Sequence, residues 1–101
     1  MNKKTKNEIN KIKETILPIL HKYGIKHAGI FGSVIRGEIT ADSDIDILVE
    51  ISKDADLDLL DFVHLKHELE NAVKREIDLI EYSTIKPALK ENILKEEVSI
   101  L

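Results

Sequence analysis

Gly32-Ser33-Val34-Ile35-Arg36-Gly37, with Ser43-Asp44-Ile45-Asp46-Ile47-Leu48-Val49-Glu50-Ile51 close behind it, is the stretch whose reading decides the fold. Its second part alternates with a period of two. Ile45, Ile47, Val49 and Ile51 fall on one face, while Asp44 and Asp46 begin the other. Residues two apart on a strand are separated by roughly 6.6 Å along the backbone, so both carboxylates can converge on one divalent ion or on a pair about 3.5–4 Å apart. Hard oxygen ligands favour Mg²⁺ or Mn²⁺. The first part has the outline of a phosphate-binding turn. Gly32 permits close backbone approach, Ser33 offers a hydroxyl and a helix N-cap, Arg36 offers a fork for phosphate oxygens, and Gly37 ends the turn. Taken singly, a Gly-Ser pair is a common turn and Asp-x-Asp a solvated edge or cap. In this order and spacing they point to metal-nucleotide chemistry, because Mg²⁺ is commonly held by one or two carboxylates together with the substrate's phosphates.

The run GSVIRGEITADSDIDILVEI resembles the signature of the DNA polymerase β-like nucleotidyltransferase superfamily. Over nearly its full length the chain resembles the minimal nucleotidyltransferases (MNT), the small antitoxin members of HEPN/MNT toxin–antitoxin pairs. That resemblance implies a polymerase β-like palm with its metal site on the open face of the sheet. It also implies a third catalytic carboxylate from a later strand, and a HEPN-domain ribonuclease toxin as partner, silenced by AMP addition to a tyrosine near its active site. Strand order and direction are implied by the resemblance alone.

Composition sets the bounds. A chain of 101 residues with 43% hydrophobic content is expected to form a single domain, 1–101, around one modest core. Fifteen basic against nineteen acidic residues leave a net charge of −4, which argues against a broad footprint for long nucleic acid. There is no cysteine, hence no disulfide framework and no thiolate metal site. Apolar runs are too short to span a membrane, and the lysine-rich start has no apolar segment behind it, so a cytoplasmic protein with no membrane role is expected. The abundance of Lys, Glu and Ile suits either a heat-adapted source or an AT-rich genome.

In chain order, residues 5–23 read as a helix. Thr5 and Glu8 have capping-box spacing, and Ile9, Ile12, Ile16, Ile19, Leu20 and Tyr23 form one stripe that Gly24 ends. Pro18 inside this pattern predicts a kink, or a break into two helices near Leu17. Ile25 to Phe31 reads as a strand delivering Gly32 and Ser33 at its C-terminal end. After the Asp-x-Asp strand a helix is expected from about Leu57 to Lys74, with Leu59, Leu60, Val63, Leu69 and Val73 as its buried stripe. His64 and His67, at i,i+3 on it, have the spacing of metal ligands but no local third donor, and read as surface or packing residues. His21 and His27 read as isolated. Lys3-Lys4, Lys74-Arg75 and Lys95-Glu96-Glu97 read as solvated faces.

Glu76 to Tyr82 is the third strand, with Asp78 amid apolar neighbours. Beside the Asp-x-Asp strand, Asp78 would reach the same metal site from a backbone about 4.8 Å away. On an edge strand it would sit in water. The resemblance favours the ligand. Ser83 or Thr84 can cap a last helix with Pro87 in its first turn and Leu89, Ile93 and Leu94 as its stripe. The apolar close, Val98, Ile100 and Leu101, either packs onto the core or offers a patch to a partner.

The fold expected is α/β (α+β), in the order α-β-turn-β-α-β-α, with a small mixed sheet and flanking helices. The function expected is nucleotidyl transfer from ATP. Two Mg²⁺ ions on Asp44, Asp46 and Asp78 would serve the chemistry, and Gly32, Ser33 and Arg36 would hold the phosphates. No room remains for an acceptor-gripping domain, which points to a protein acceptor or a hetero-oligomeric assembly. The rival from another class is a non-catalytic antitoxin that neutralises its partner by covering it.

Overall fold

A computed structural model describes residues 3–32, 35, 37 and 44–101. The chain runs α1 (Lys3–Lys22), β1 (Ile25–Phe31), β2 (Ile45–Ile51), α2 (Leu59–Val73), β3 (Ile77–Glu81), a short 3₁₀ turn (Tyr82–Thr84), α3 (Pro87–Glu96) and β4 (Val98–Ser99). The strands form one mixed sheet in the order β3-β2-β1-β4. β2 is antiparallel to β1 and parallel to β3, and β4 is antiparallel to β1. The connection from β2 through α2 to β3 is thus the crossover that a parallel pair requires.

Two helices cover one face of the sheet. Ile9, Ile12, Ile16 and Leu20 of α1 pack with Leu65 and Leu69 of α2 against Ala28 and Ile30, Ile45, Ile47 and Val49, and Ile77 and Leu79. On the other face a smaller cluster of Phe31, Leu48 and Ile85 is joined by Ile80, Tyr82 and Ile93 of α3. Ile25 and Ala28, three apart, both belong to the first core because an irregularity in the β1–β2 register lies between Ile25 and His27.

Several expectations need correcting. α1 continues through Pro18 without a break. Glu14 and Pro18 are both exposed, so the carbonyl that loses its donor faces water rather than the core. Thr5 is a buried residue inside the helix rather than its cap. Gly24, with φ +71°, ends the helix as expected.

α2 starts at Leu59 behind a reciprocal cap: Asp61 N–H donates to Asp58 Oδ1 at 2.8 Å, and Asp58 N–H to Asp61 Oδ2 at 3.2 Å. Its buried stripe is Leu65 and Leu69, flanked by Phe62 and Val73, whereas Leu59, Leu60 and Val63 are 79%, 62% and 39% exposed. The periodicity admitted two neighbouring faces, and the sheet took the later one. Ser83 and Thr84 lie in the 3₁₀ turn, and α3 begins with Pro87 at its first position and no side-chain cap. Ile93 packs, while Leu89 and Leu94 are exposed.

The apolar close packs. Ile100 is buried, and the backbone of Ala28 exchanges hydrogen bonds with Ile100 and Leu101, extending the β1–β4 pairing. No described helix is long and apolar enough to cross a membrane.

Candidate active site

The parallel register of β2 and β3 brings two of the predicted carboxylates together, since Asp46 pairs across the strands with Asp78. Backbones of neighbouring strands stand about 4.8 Å apart. Both side chains lie on the face opposite the α1–α2 core, because Ile45, Ile47, Ile77 and Leu79 beside them point into that core. On its other side Asp46 pairs with Phe31, the last residue of β1, and Gly32 follows. One transverse line across the sheet therefore reads Phe31-Gly32, Asp46, Asp78. Asp44 precedes β2 on the same side of the alternation and is exposed.

Gly32 is needed here for two reasons. Its φ is +83°, which an L side chain rarely adopts, and a Cβ at that position would collide with the Asp46 carboxylate. The turn it opens is closed by a hydrogen bond from Ile35 N–H to the Gly32 carbonyl at 3.1 Å. Gly37 also has positive φ, +73°, and a Cβ there would approach Thr5 Oγ1 of α1 to 3.2 Å. The two glycines read from the sequence as the ends of a turn both take the backbone conformation that favours glycine. Ser33 and Arg36, the predicted phosphate contacts, lie outside the described residues.

Asp78 is exposed on β3, an outer strand of the sheet, so the water-facing alternative for its environment holds together with its adjacency to Asp46. Among the described residues no three His, Asp or Glu side chains are gathered tightly enough to hold a metal ion. The donor set nevertheless suits Mg²⁺. Asp44, Asp46 and Asp78 offer only hard oxygens, and the Asp46 carboxylate lies against Gly32, where a Cβ would otherwise stand. Like charges on neighbouring strands repel, and a cation relieves that cost.

The histidines are not drawn to this line. His64 and His67 are exposed on α2, which covers the opposite face. His27 is not isolated: its Nε2 lies 2.9 Å from Glu97 Oε1, and the Glu97 side chain is only 6% exposed, contrary to the reading of Lys95-Glu96-Glu97 as a solvated face. Gly29 makes this possible, because a Cβ there would occupy the position of the Glu97 side chain. No local sequence signal joins partners seventy residues apart.

A mixed sheet with Asp-x-Asp on its second strand, a glycine turn before it and a third carboxylate beside it is the frame of a nucleotidyltransferase palm. Residues 14–101 match the family model "Polymerase beta, Nucleotidyltransferase", and the chain belongs to that family of nucleotidyltransferases. It is 50% identical over 93 residues, 92% of this chain and 98% of the relative, to MJ0435 of Methanocaldococcus jannaschii, provisionally named a protein adenylyltransferase. It is 35% identical over 79 residues, 78% of each chain, to protein adenylyltransferase MntA of Thermococcus cleftensis. Among solved structures, one provisionally described as a minimal nucleotidyltransferase superposes with TM-score 0.78 at 32% identity, covering 91% of this chain and 92% of that one. A tri-AMPylated Shewanella oneidensis HEPN toxin in complex with MNT antitoxin gives TM-score 0.70 at 19% identity, covering 91% and 71%, a likeness of fold alone.

Proposed function

We propose that residues 1–101 act as one catalytic module that moves AMP from ATP to a hydroxyl of a protein acceptor, and that the acceptor is a HEPN-type ribonuclease toxin, which AMPylation silences in the cytoplasm. The observation that carries this reading is the placement of Asp46 beside Asp78, with Gly32 held bare against the Asp46 carboxylate. The adenylyltransferase names of the relatives and the toxin complex among the fold neighbours support the choice of reaction and partner.

Asp44, Asp46 and Asp78 would hold two Mg²⁺ ions, which when bound supply Lewis-acid charge neutralisation of the triphosphate and activation of the acceptor hydroxyl. The Gly32 turn and Ser33 would hold the terminal phosphates, and Arg36 would neutralise charge there. The acceptor oxygen attacks the α-phosphorus, the bond to the bridging oxygen breaks, and pyrophosphate leaves. The hydroxyl proton passes to Asp78 or to water. Incubation with labelled ATP, Mg²⁺ and a HEPN acceptor should label the acceptor. The Asp44→Asn/Asp46→Asn double variant should not label it, and label transfer at the wild-type rate by that variant would sink the assignment.

A second reading, neutralisation by stoichiometric covering, is favoured by one observation: Leu59, Leu60, Leu89 and Leu94 stand exposed on α2 and α3. Stoichiometry separates the two. A catalyst silences its partner well below one equivalent and leaves it heavier by one or more nucleotides. A covering protein needs full equivalence and no ATP. Intact mass of the partner after incubation decides between them.

A further inference from the structure

The chain carries a net charge of −4, yet α1 holds six lysines against two glutamates. The first turn contains no acidic residue, so Lys3, Lys4 and Lys6 stand at the positive end of the helix dipole, where cations are unfavourable. No carboxylate among the described residues pairs with Lys3, Lys4, Lys11 or Arg75. These groups line two adjoining clefts. One, of about 330 Å³, runs along α1 between Lys3, Lys4, Asn7, Glu8 and Lys11. The other, of about 190 Å³, shares Glu8 and Lys11 and reaches the half-buried Arg75 over an apolar wall that includes Ile12, Ile45 and Val73. Ile45, which lines the inner cleft, directly follows Asp44 in the chain.

We propose that this basic cleft receives an acidic helix of the protein acceptor, one carboxylate entering beside Arg75 and others one and two turns away meeting Lys11, Lys4 and Lys3. The proposal rests on the protein-acceptor reading and adds the surface that grips the acceptor. Lys4 and Lys11 are two helical turns apart, about 10 Å at a rise of ~1.5 Å per residue, the spacing of carboxylates at i and i+7 on a facing helix. The inner cleft combines an apolar wall of Ile12, Ile45, Ala72 and Val73 with the cations Lys11 and Arg75, Glu8 and Thr15 completing it, a mixture that suits the methylene stem and carboxylate of a glutamate. Neither cleft is lined by an aromatic ring for base stacking, and the negative net charge opposes a long polyanion, so a nucleic-acid strand fits less well. A local cluster of positive charge of this kind steers encounter and sets orientation as well as adding affinity.

The test needs no ATP and so stands apart from the transfer assay. The ¹⁵N-labelled full chain is titrated with a 20-residue alanine-based helical peptide bearing Glu at every fourth position, with its Gln counterpart, and with a 20-nucleotide oligoadenylate. The Glu peptide should give saturable amide shifts at Lys11, Ala72 and Arg75, weakened severalfold on raising salt from 50 to 300 mM. The Gln peptide should give none. Lys11→Glu/Arg75→Glu should weaken binding about tenfold or more while ATP binding is unchanged. Should Arg75 prove needed for folding, Lys3→Gln/Lys4→Gln, at exposed positions, carries the same comparison. Equal shifts with the Gln peptide, no saturable shift with the Glu peptide, or tighter binding of the oligoadenylate through the same amides would each overturn the proposal.

Discussion

Gly32 joins backbone geometry to the chemistry of the site. Its positive φ of +83° costs a residue with a Cβ on the order of 1–2 kcal/mol, and that Cβ would also displace the Asp46 carboxylate. Gly32→Ala should therefore lower stability to denaturant by about that amount and abolish labelling of the acceptor at temperatures where the variant is still folded. Asp78→Asn should behave oppositely. It removes one of two like charges that share a cross-strand position, so stability should hold or rise by up to about 1 kcal/mol, while transfer falls about 100-fold or more. A loss of stability in Asp78→Asn matching its loss of activity would show that the pairing is structural. That Asp44 and Asp46 share one side of β2 is legible in the sequence because alternation fixes the face of a side chain, and Asp78 stands out as an acidic residue amid apolar ones. What alternation cannot give is register. The coincidence of Asp46 with Asp78, and of Phe31 with Asp46, is set by how three strands align.

At the scale of elements, β1 has the boundaries its sequence predicts, and β2 and β3 match theirs within a residue, since each is bounded by glycine, acidic or capping residues. The helices were less legible. α2 presented apolar residues around much of its circumference, and only packing shows that Leu65 and Leu69 are chosen over Leu59, Leu60 and Val63. α2 also ends at a non-glycine residue in the left-handed region, Lys74 with φ 59°, whose N–H donates to the Glu70 carbonyl at 2.7 Å. Lys74→Gly relieves that strain and should raise the denaturation midpoint by about 0.5–1 kcal/mol equivalent, with transfer unchanged. The two core helices are further joined by Lys22, whose Nζ lies 2.7 Å from Glu68 Oε1. The Lys22 hydrogen bond, then Tyr23 beside it, holds the Glu68 carboxyl below its ordinary value of 4.5, and the same pair raises Lys22 above 10.5. Glu68 thus adds stability above its unfolded pKa that is lost as pH falls through the lower folded value. Lys22 adds stability below 10.5 that is lost as pH rises through its higher folded value. Between roughly pH 5 and 10 this pair should leave stability flat. Glu68→Gln should flatten part of the acid limb of a melting-temperature profile, and an unchanged acid limb would remove the pair from the account.

Across the whole molecule, the sheet divides its work between faces: one buried under α1 and α2, the other carrying Asp46 and Asp78 beside the smaller cluster under α3. That division requires the central strands to keep their register, and β1 is central only because residues 98–101 cover its outer edge. β4 pairs Gly29 with Ser99 and Ile30 with Val98, and Ile100 adds a buried side chain, 4% exposed, to the core. The His27–Glu97 pair over Gly29 fixes the chain just before this strand. Without these contacts β1 would present unpaired backbone groups on an edge where Lys26, near its start, is the one lysine and where Ala28 to Phe31 carry no charge or proline of the kind that blunts natural edges. Ile100→Ala keeps the backbone pairing and removes only packing, so it should cost about 2–4 kcal/mol while the protein stays monodisperse at each concentration. Deletion of residues 98–101 removes the pairing as well, and should add concentration-dependent association through β1, read as a rising mass by light scattering. Glu97→Gln keeps a hydrogen-bonding partner for His27 and should do neither to a comparable degree. If the deletion lowers stability without any association, the C-terminal residues matter only as packing, and some other part of the chain guards the β1 edge.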